Sequence, residues 1–232
     1  MKVELVKTFQ FEAAHRNPLG DEAAARLHGH SYVVDVVTEG LCDAELGWLV
    51  DYGEIASRFQ PLFDMLDHRT LEDVEGMTDP TFAGVRAFIA HRLRDCVPHF
   101  KDVRLSIVGD LVFRPVALGP SQVEALNERI RFTFEAAHAL SRLPETHKCR
   151  RMHGHSFRVE LAGPDVEDLH SYAFELYVTL DHQSLNDLPG LDNPTSEQLA
   201  RWIWERVAPQ APDIEAVVVA ETCTARCIYR GP

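Results

Sequence analysis

Apolar and polar residues alternate along Val3 to Phe11 and again along Ile130 to Phe134, the period-two pattern of a strand with one buried face. Tyr32 to Val37 and Phe157 to Leu161 are rich in β-branched and aromatic residues, and each predicts a second strand. Gly53 to Leu66 and Val166 to Leu180 space their apolar residues as a helix does. A further helix is expected over Ser196 to Val207 with Thr195 as its cap, and Thr81 to Cys96 answers it earlier in the chain. Late strands follow at Val103 to Val108 and Glu215 to Glu221. The order is two strands, two helices and two strands, twice over, which predicts an α+β fold with antiparallel sheets.

The doubling is also written in the residues themselves. Phe11-Glu12-Ala13-Ala14-His15 recurs as Phe134-Glu135-Ala136-Ala137-His138, and Leu27-His28-Gly29-His30-Ser31-Tyr32 as Met152-His153-Gly154-His155-Ser156-Phe157. Leu66-Asp67-His68-Arg69-Thr70-Leu71 recurs as Leu180-Asp181-His182-Gln183-Ser184-Leu185, and Asp79-Pro80-Thr81 as Asn193-Pro194-Thr195. Four matches in one order define a tandem repeat. Gly119-Pro120-Ser121 breaks the pattern and sets the seam, giving units 1–119 and 120–232. With 45% apolar residues the chain can fill two cores, each of about 115 residues and within ordinary domain size.

Composition narrows the function classes. No stretch reaches the length of an apolar membrane span, and Met1 opens directly into a strand pattern, so a cytoplasmic protein that binds no membrane is expected. The net charge of −13 repels polyanions and argues against nucleic acid. Five cysteines without a framework spacing are expected to be reduced thiols, with Cys223 and Cys227 structural.

His153 and His155, two apart on a strand, leave from one face, and His138 ends the preceding strand. Paired as a hairpin, the strands bring three imidazoles together with a fourth position open, the donor set of a catalytic zinc site. Cys149 stands among Lys148, Arg150 and Arg151, cations expected to favour its thiolate. Asp181-His182 offers a proton relay, and Glu221 closes an apolar strand as a carboxylate in need of a partner.

At these residues the chain resembles the 6-pyruvoyl-tetrahydropterin synthase superfamily, and its 6-carboxytetrahydropterin synthase branch of queuosine biosynthesis in particular. The likeness rests on Phe134 to His138, Cys149-x-x-x-His153-Gly-His155, Leu180-Asp-His182-x-x-Leu-Asn186, Asn193-Pro-Thr-Ser-Glu197 and Glu221 to Arg230. The short gap between Cys149 and His153 is the carboxy-type spacing. The resemblance implies two tunnelling-fold (T-fold) units whose sheets join into a barrel, and 7,8-dihydroneopterin triphosphate as substrate. The implied products are 6-carboxy-5,6,7,8-tetrahydropterin, acetaldehyde and triphosphate. It implies Zn2+ on His138, His153 and His155, Cys149 as general base with Asp181 and His182 as relay, and Glu221 as pterin anchor helped by Thr195 or Ser196. Arg150 and Arg151 are expected to steer the triphosphate. Neighbouring readings are pyruvoyl formation or another pterin lyase reaction, and a non-catalytic pterin- or zinc-binding protein.

Two departures from the family pattern matter. In the first half the cysteine position is Ala24 and the anchor position Ile107, while His15, His28, His30, Asp67 and His68 remain, so that half keeps metal ligands without base or anchor. In the second half 18 residues, Ala162 to Thr179, replace the 29 of Val37 to Met65, a loss expected to alter the sheet edge there. The resemblance also implies a homo-oligomer with sites between units. The expected form is a trimer of tandem chains in two stacked rings, in which Asp181 and His182 serve Cys149. In the alternative, a dimer with alternating halves, Asp67 and His68 serve it.

Overall fold

The protein was analysed as a computed structural model that describes residues 1–109, 115–222 and 224–232; Cys223 lies outside them. The first half runs β1 (Lys2–His15), α1 (Glu22–Ala25), β2 (His28–Leu41), α2 (Tyr52–Leu66), β3 (Arg69–Thr70), α3 (Phe82–Leu93) and β4 (Phe100–Ile107). β5 (Val116–Leu118) then leads into β6 (Arg129–His138), β7 (His153–Ala162), α4 (Val166–Leu180), β8 (Gln183–Ser184), α5 (Ser196–Val207), β9 (Ala216–Ala220) and β10 (Cys227–Tyr229).

Two open sheets result, one ordered β3-β1-β2-β4 and the other β10-β9-β7-β6-β5 with β8 beside β6. Both are mainly antiparallel, and only the two-residue β3 and β8 run parallel to their neighbours. The first core follows the alternation of β1: Phe11 and Ala13 are fully buried against Phe59, Leu62 and Leu66 of α2 and Ile89 of α3. The second repeats this with Phe134, Phe157 and Leu161 against Leu176, Leu180 and Ile203. Thr195 caps α5 as expected, its Oγ1 accepting from Gln198 N, while the helix expected over Thr81 to Cys96 is Phe82–Leu93, with Thr81 as its cap accepting from Gly84 N.

Two details differ from the expected plan. β5 pairs with β6 across Val116↔Arg131, so the chain has already joined the second sheet before Gly119. Among the described residues the first sheet therefore closes on β4 alone, whereas the second adds β9 and β10.

The missing residues of the second half shorten its hairpin symmetrically. β1 and β2 have 14 residues each and β6 and β7 have 10 each, so both strands end together. Asp165 at once caps α4 by accepting from Glu167 N and Asp168 N. Leu49 and Val50, which the second half lacks, seal the first core, and Val166 and Leu169 pack at that end of the second.

The halves meet through their hairpin tips. Gly29 and Gly154 cross so closely that a Cβ built on either would collide with the Cα of the other. Ser31 N donates to Ser156 Oγ and Ser156 N to Ser31 Oγ, each at 3.1 Å, so the crossing is two-fold in its hydrogen bonds. No helix among the described residues is long and apolar enough to cross a membrane.

Candidate metal and catalytic site

The antiparallel register sets His138 opposite His153, with His155 two residues further along the same strand. All three are essentially fully buried. Each ring spends its Nδ1 on an oxygen: His138 on Pro194 O at 2.9 Å, His153 on Arg151 O at 2.7 Å, and His155 on Glu12 Oε2 at 2.8 Å. An Nδ1–H held in this way leaves Nε2 as the lone-pair nitrogen, the tautomer a metal requires. The Nε2 atoms of His138 and His153 face each other at 3.2 Å. Among the described residues His155 Nε2 is buried without a hydrogen bond, although Glu221 Oε1 lies 3.1 Å away. Nε2 atoms of three buried rings converging on one point are what a cation would satisfy, displacing the proton that Glu12 and Glu221 favour on His155, and the nitrogen-rich donor set suits a borderline-soft ion.

His15, His28 and His30 repeat the arrangement. Their Nδ1 atoms contact Pro80 O at 2.6 Å, Arg26 O at 2.9 Å and Glu135 Oε2 at 2.7 Å, and the Nε2 atoms of His15 and His30 lie 3.0 Å apart. Burial, then the neighbouring His30, depresses His15 to about 4 and His28 to about 2. His138 and His153 are lowered too, burial again being the main cause. His155 departs from this: burial is the largest influence and opposes its charge, but Glu12 and Glu221 outweigh it and hold the ring up at about 9.

Around the second cluster the structure gathers Cys149 and Glu221. Cys149 sits in a helical turn, Lys148 to Arg150, where His147 Nδ1 accepts from its backbone N–H. Its sulfur and ring nitrogens of His68 and His153 all lie within 4.8 Å of one another. Its thiol is pushed up from its ordinary value, first by burial and then by Glu221, with Lys148 opposing. The expected thiolate-favouring cations are engaged elsewhere: Lys148 Nζ holds Asp67 at 3.0 Å, Arg150 donates to Ser141 O and Leu143 O, and Arg151 to His68 O. Arg151 also lines, with Arg69 and Thr70, a hollow of about 440 Å3 between the halves.

Burial opposes the charge on Glu221, yet the adjacent His138 and His155 rings keep its carboxyl well below the usual range. Its Oε1 leans toward the histidines, and its Oε2 accepts from Ser196 Oγ at 2.7 Å. The register β2–β4 pairs Tyr32 with Ile107 at the position equivalent to Glu221, and Phe82 answers Ser196.

Within one chain the relay pairs lie across the contact between the halves. His68, and not His182, reaches Cys149, and its ring stacks 4.3 Å from that of His153. His182 stacks instead 4.2 Å from His28 of the first cluster. Docking tip to tip, rather than side by side, turns each helix-end dyad toward the opposite half. His68 Nδ1 lies 2.9 Å from Asp67 Oδ2, and His182 Nδ1 lies 2.7 Å from Asp181 Oδ2. Both histidines hold positive φ, 55° and 53°, anchored where His68 N donates to Glu12 O and His182 N to Glu135 O. Strained non-glycine backbone repeated at two equivalent points marks a position that the surrounding contacts impose.

The sequence pattern alone assigns no role to Glu12 and Glu135. The available signal was a glutamate inside an otherwise apolar strand end, present at the same place in both copies.

Fold and site together define a duplicated T-fold protein with a histidine centre in each half. The chain belongs to the 6-pyruvoyl tetrahydropterin synthase family, which it matches twice, over residues 4–108 and 128–232. It is 38% identical over 118 residues to 6-carboxy-5,6,7,8-tetrahydropterin synthase of Synechocystis, a match spanning 44% of this chain and 90% of that protein. Dihydroneopterin monophosphate aldolase of Pyrococcus furiosus is 30% identical over 105 residues, 45% of this chain and 85% of its own. The solved structure of Caenorhabditis elegans 6-pyruvoyl tetrahydropterin synthase covers 46% of this chain and 96% of its own, with TM-score 0.38 and 19% identity. By that kinship the chain is an enzyme of the lyase class.

Proposed function

We propose that the second half, from residue 120 on, is a zinc-dependent 6-carboxy-5,6,7,8-tetrahydropterin synthase acting on 7,8-dihydroneopterin triphosphate in 7-deazapurine biosynthesis. The observation that carries this reading is the convergence of Cys149, His68 and the His138–His153–His155 cluster beside Glu221. The kinship with the Synechocystis enzyme points to the same reaction.

Zinc held by the three Nε2 atoms would supply Lewis acidity toward the side-chain oxygens of the substrate. Cys149 takes a side-chain proton as general base. Its raised thiol means the proton must first leave Sγ for the adjacent His68 ring, whose imidazolium Asp67 would stabilise. Glu221 releases its lean toward the histidines to accept the exocyclic amine and ring N–H of the pterin, with Ser196 fixing its other oxygen and Thr195 holding the helix start. Arg151, at the hollow between the halves, and Arg150 beside it meet the triphosphate. The first half, to residue 119, holds metal at His15, His28 and His30 but performs no turnover, with Asp181 and His182 standing over a centre that lacks base and anchor.

The preferred assembly is a trimer of tandem chains in two stacked rings, with a two-chain form as the alternative; in either, His68 serves Cys149 across the contact between the two halves of one chain rather than from a ring neighbour. Support comes from the tip-to-tip docking, which leaves both sheets open at their sides.

The second reading rests on Glu221 Oε1, which lies 3.4 Å from His138 Nε2 and 3.1 Å from His155 Nε2. There it stands where a fourth ligand would close the site into a structural, non-catalytic one. Incubation with dihydroneopterin triphosphate and identification of the product by mass decides among these. The carboxy product supports the proposal, a pyruvoyl or aldol-cleavage product moves the chain to a neighbouring reaction, and unchanged substrate with bound zinc supports the closed site.

A further inference from the structure

Each cluster has one ligand whose Nδ1 is held by a side chain rather than by a backbone carbonyl, and in both cases that side chain comes from the other half. Glu12 Oε2 lies 2.8 Å from His155 Nδ1, and Glu135 Oε2 lies 2.7 Å from His30 Nδ1. Glu135 is buried and Glu12 half-buried, with side-chain exposures of 11% and 15%. Both are also fixed in place. Ser31 Oγ donates to Glu12 Oε2 at 2.6 Å and Ser156 Oγ to Glu135 Oε2 at 2.8 Å, and the two serines hold each other through their backbone N–H groups. The backbone N–H of Glu12 donates to Asp67 and that of Glu135 to Asp181, tying each carboxylate's strand to a dyad. At the crossing, Gly109 leaves room for Glu135: a Cβ there would collide with Glu135 Oε1.

We propose that Glu12 and Glu135 are exchanged positioning carboxylates, each orienting a metal-ligand histidine of the opposite half. On this view the half without its own base and anchor is a working part of the other half's centre. The physical basis is general: a carboxylate on the far nitrogen of a ligating imidazole fixes the ring and its tautomer and raises the basicity of the nitrogen that meets the metal. The inference rests on the reading that the histidine clusters bind metal. A hydrogen-bonded path from His155 through Glu12, Ser31, Ser156 and Glu135 to His30 joins the two centres.

The test uses cobalt(II) as probe, read by its ligand-field absorption and by competition with a chelator, in two full-length backgrounds. His15→Ala with His28→Ala leaves only the second centre, and His138→Ala with His153→Ala leaves only the first. In the background keeping the second centre, Glu12→Gln should weaken cobalt binding about 10- to 100-fold, and Glu135→Gln should weaken it far less. In the background keeping the first centre the order should reverse. Glu12→Gln should disturb the spectrum less than Glu12→Ala, since the amide oxygen still accepts from His155. Equal weakening by both substitutions in both backgrounds would reduce the carboxylates to packing elements and overturn the crossed assignment. So would an effect of each glutamate on its own half alone. Cobalt bound in neither background would overturn the metal reading and this inference with it.

Discussion

Near His15, His28 and His30 the equivalent positions carry Ala24, Ile107 and Phe82, whereas near His138, His153 and His155 they carry Cys149, Glu221 and Ser196. The ligands, their backbone acceptors and even the crossing carboxylates match between the two, yet the groups that would act on a substrate do not. Ligands and crossing carboxylates lie on the hairpin tips, where the halves dock, so losing them costs the interface as well as the site. The proposed base and anchor, Cys149 and Glu221, lie on a turn and just past a strand end, and neither side chain makes a hydrogen bond that joins the halves among the described residues. The difference teaches that the metal-holding and reacting parts of such a site are physically separable.

The largest effect should come from breaking that asymmetry at its chemical end. Cys149→Ala and His68→Ala are each expected to lower kcat about 100- to 10,000-fold, while His182→Ala, over the centre without a cysteine, changes it less than tenfold. Steady-state rates on dihydroneopterin triphosphate check this. The opposite pattern for the two histidines would return the relay to a second-half neighbour.

Next comes the interface. Gly29→Ala and Gly154→Ala should each destabilise the protein by about 1–3 kcal/mol or more, because a methyl cannot enter the crossing without parting the strands. Urea denaturation measures the loss. Bound metal, counted per chain, should fall at both centres together, whereas loss at one centre alone would show that the crossing is not shared.

Anchoring follows. Glu221→Ala should raise KM about 10- to 100-fold with a smaller change in kcat, as removal of a charged hydrogen-bond pair does. If the variant instead loses zinc while KM holds, Glu221 is a metal ligand.

The smallest effect concerns Tyr32, whose hydroxyl is buried without a hydrogen-bond partner among the described residues, where the second half has Phe157. Tyr32→Phe should leave stability unchanged or raise it by about 1 kcal/mol. A clear loss in thermal unfolding would mean that the hydroxyl is satisfied by something bound in the first centre.

Much of this was legible in the sequence. The repeats gave the ligand sets, the caps at Thr81 and Thr195 gave the helix starts, and the register of β4 bears out the pairing of Ile107 with Glu221 across the halves. What was not legible was which dyad meets which cluster. Two copies of Leu-Asp-His and two of His-Gly-His pair equally well within a half or between halves, and only the approach of Gly29 to Gly154 decides. The environment of Cys149 was misread for a related reason. Neighbours in sequence, Lys148, Arg150 and Arg151, proved to be engaged by Asp67 and by backbone carbonyls. The altered edge expected of the second half is a hairpin whose two strands end together, which a sequence gap alone does not reveal.

The two glycines at the crossing also bear on how such a protein can change over generations. In an assembly of identical subunits, every substitution strikes all copies of the site at once, so the position of Cys149 could not become an alanine, as Ala24 is, without changing every centre of the particle. Joining the copies in one chain gives each half its own coding positions while the crossing holds them in fixed one-to-one register. One copy is then free to abandon chemistry and specialise as scaffold, provided that it keeps what it lends across the glycine contact.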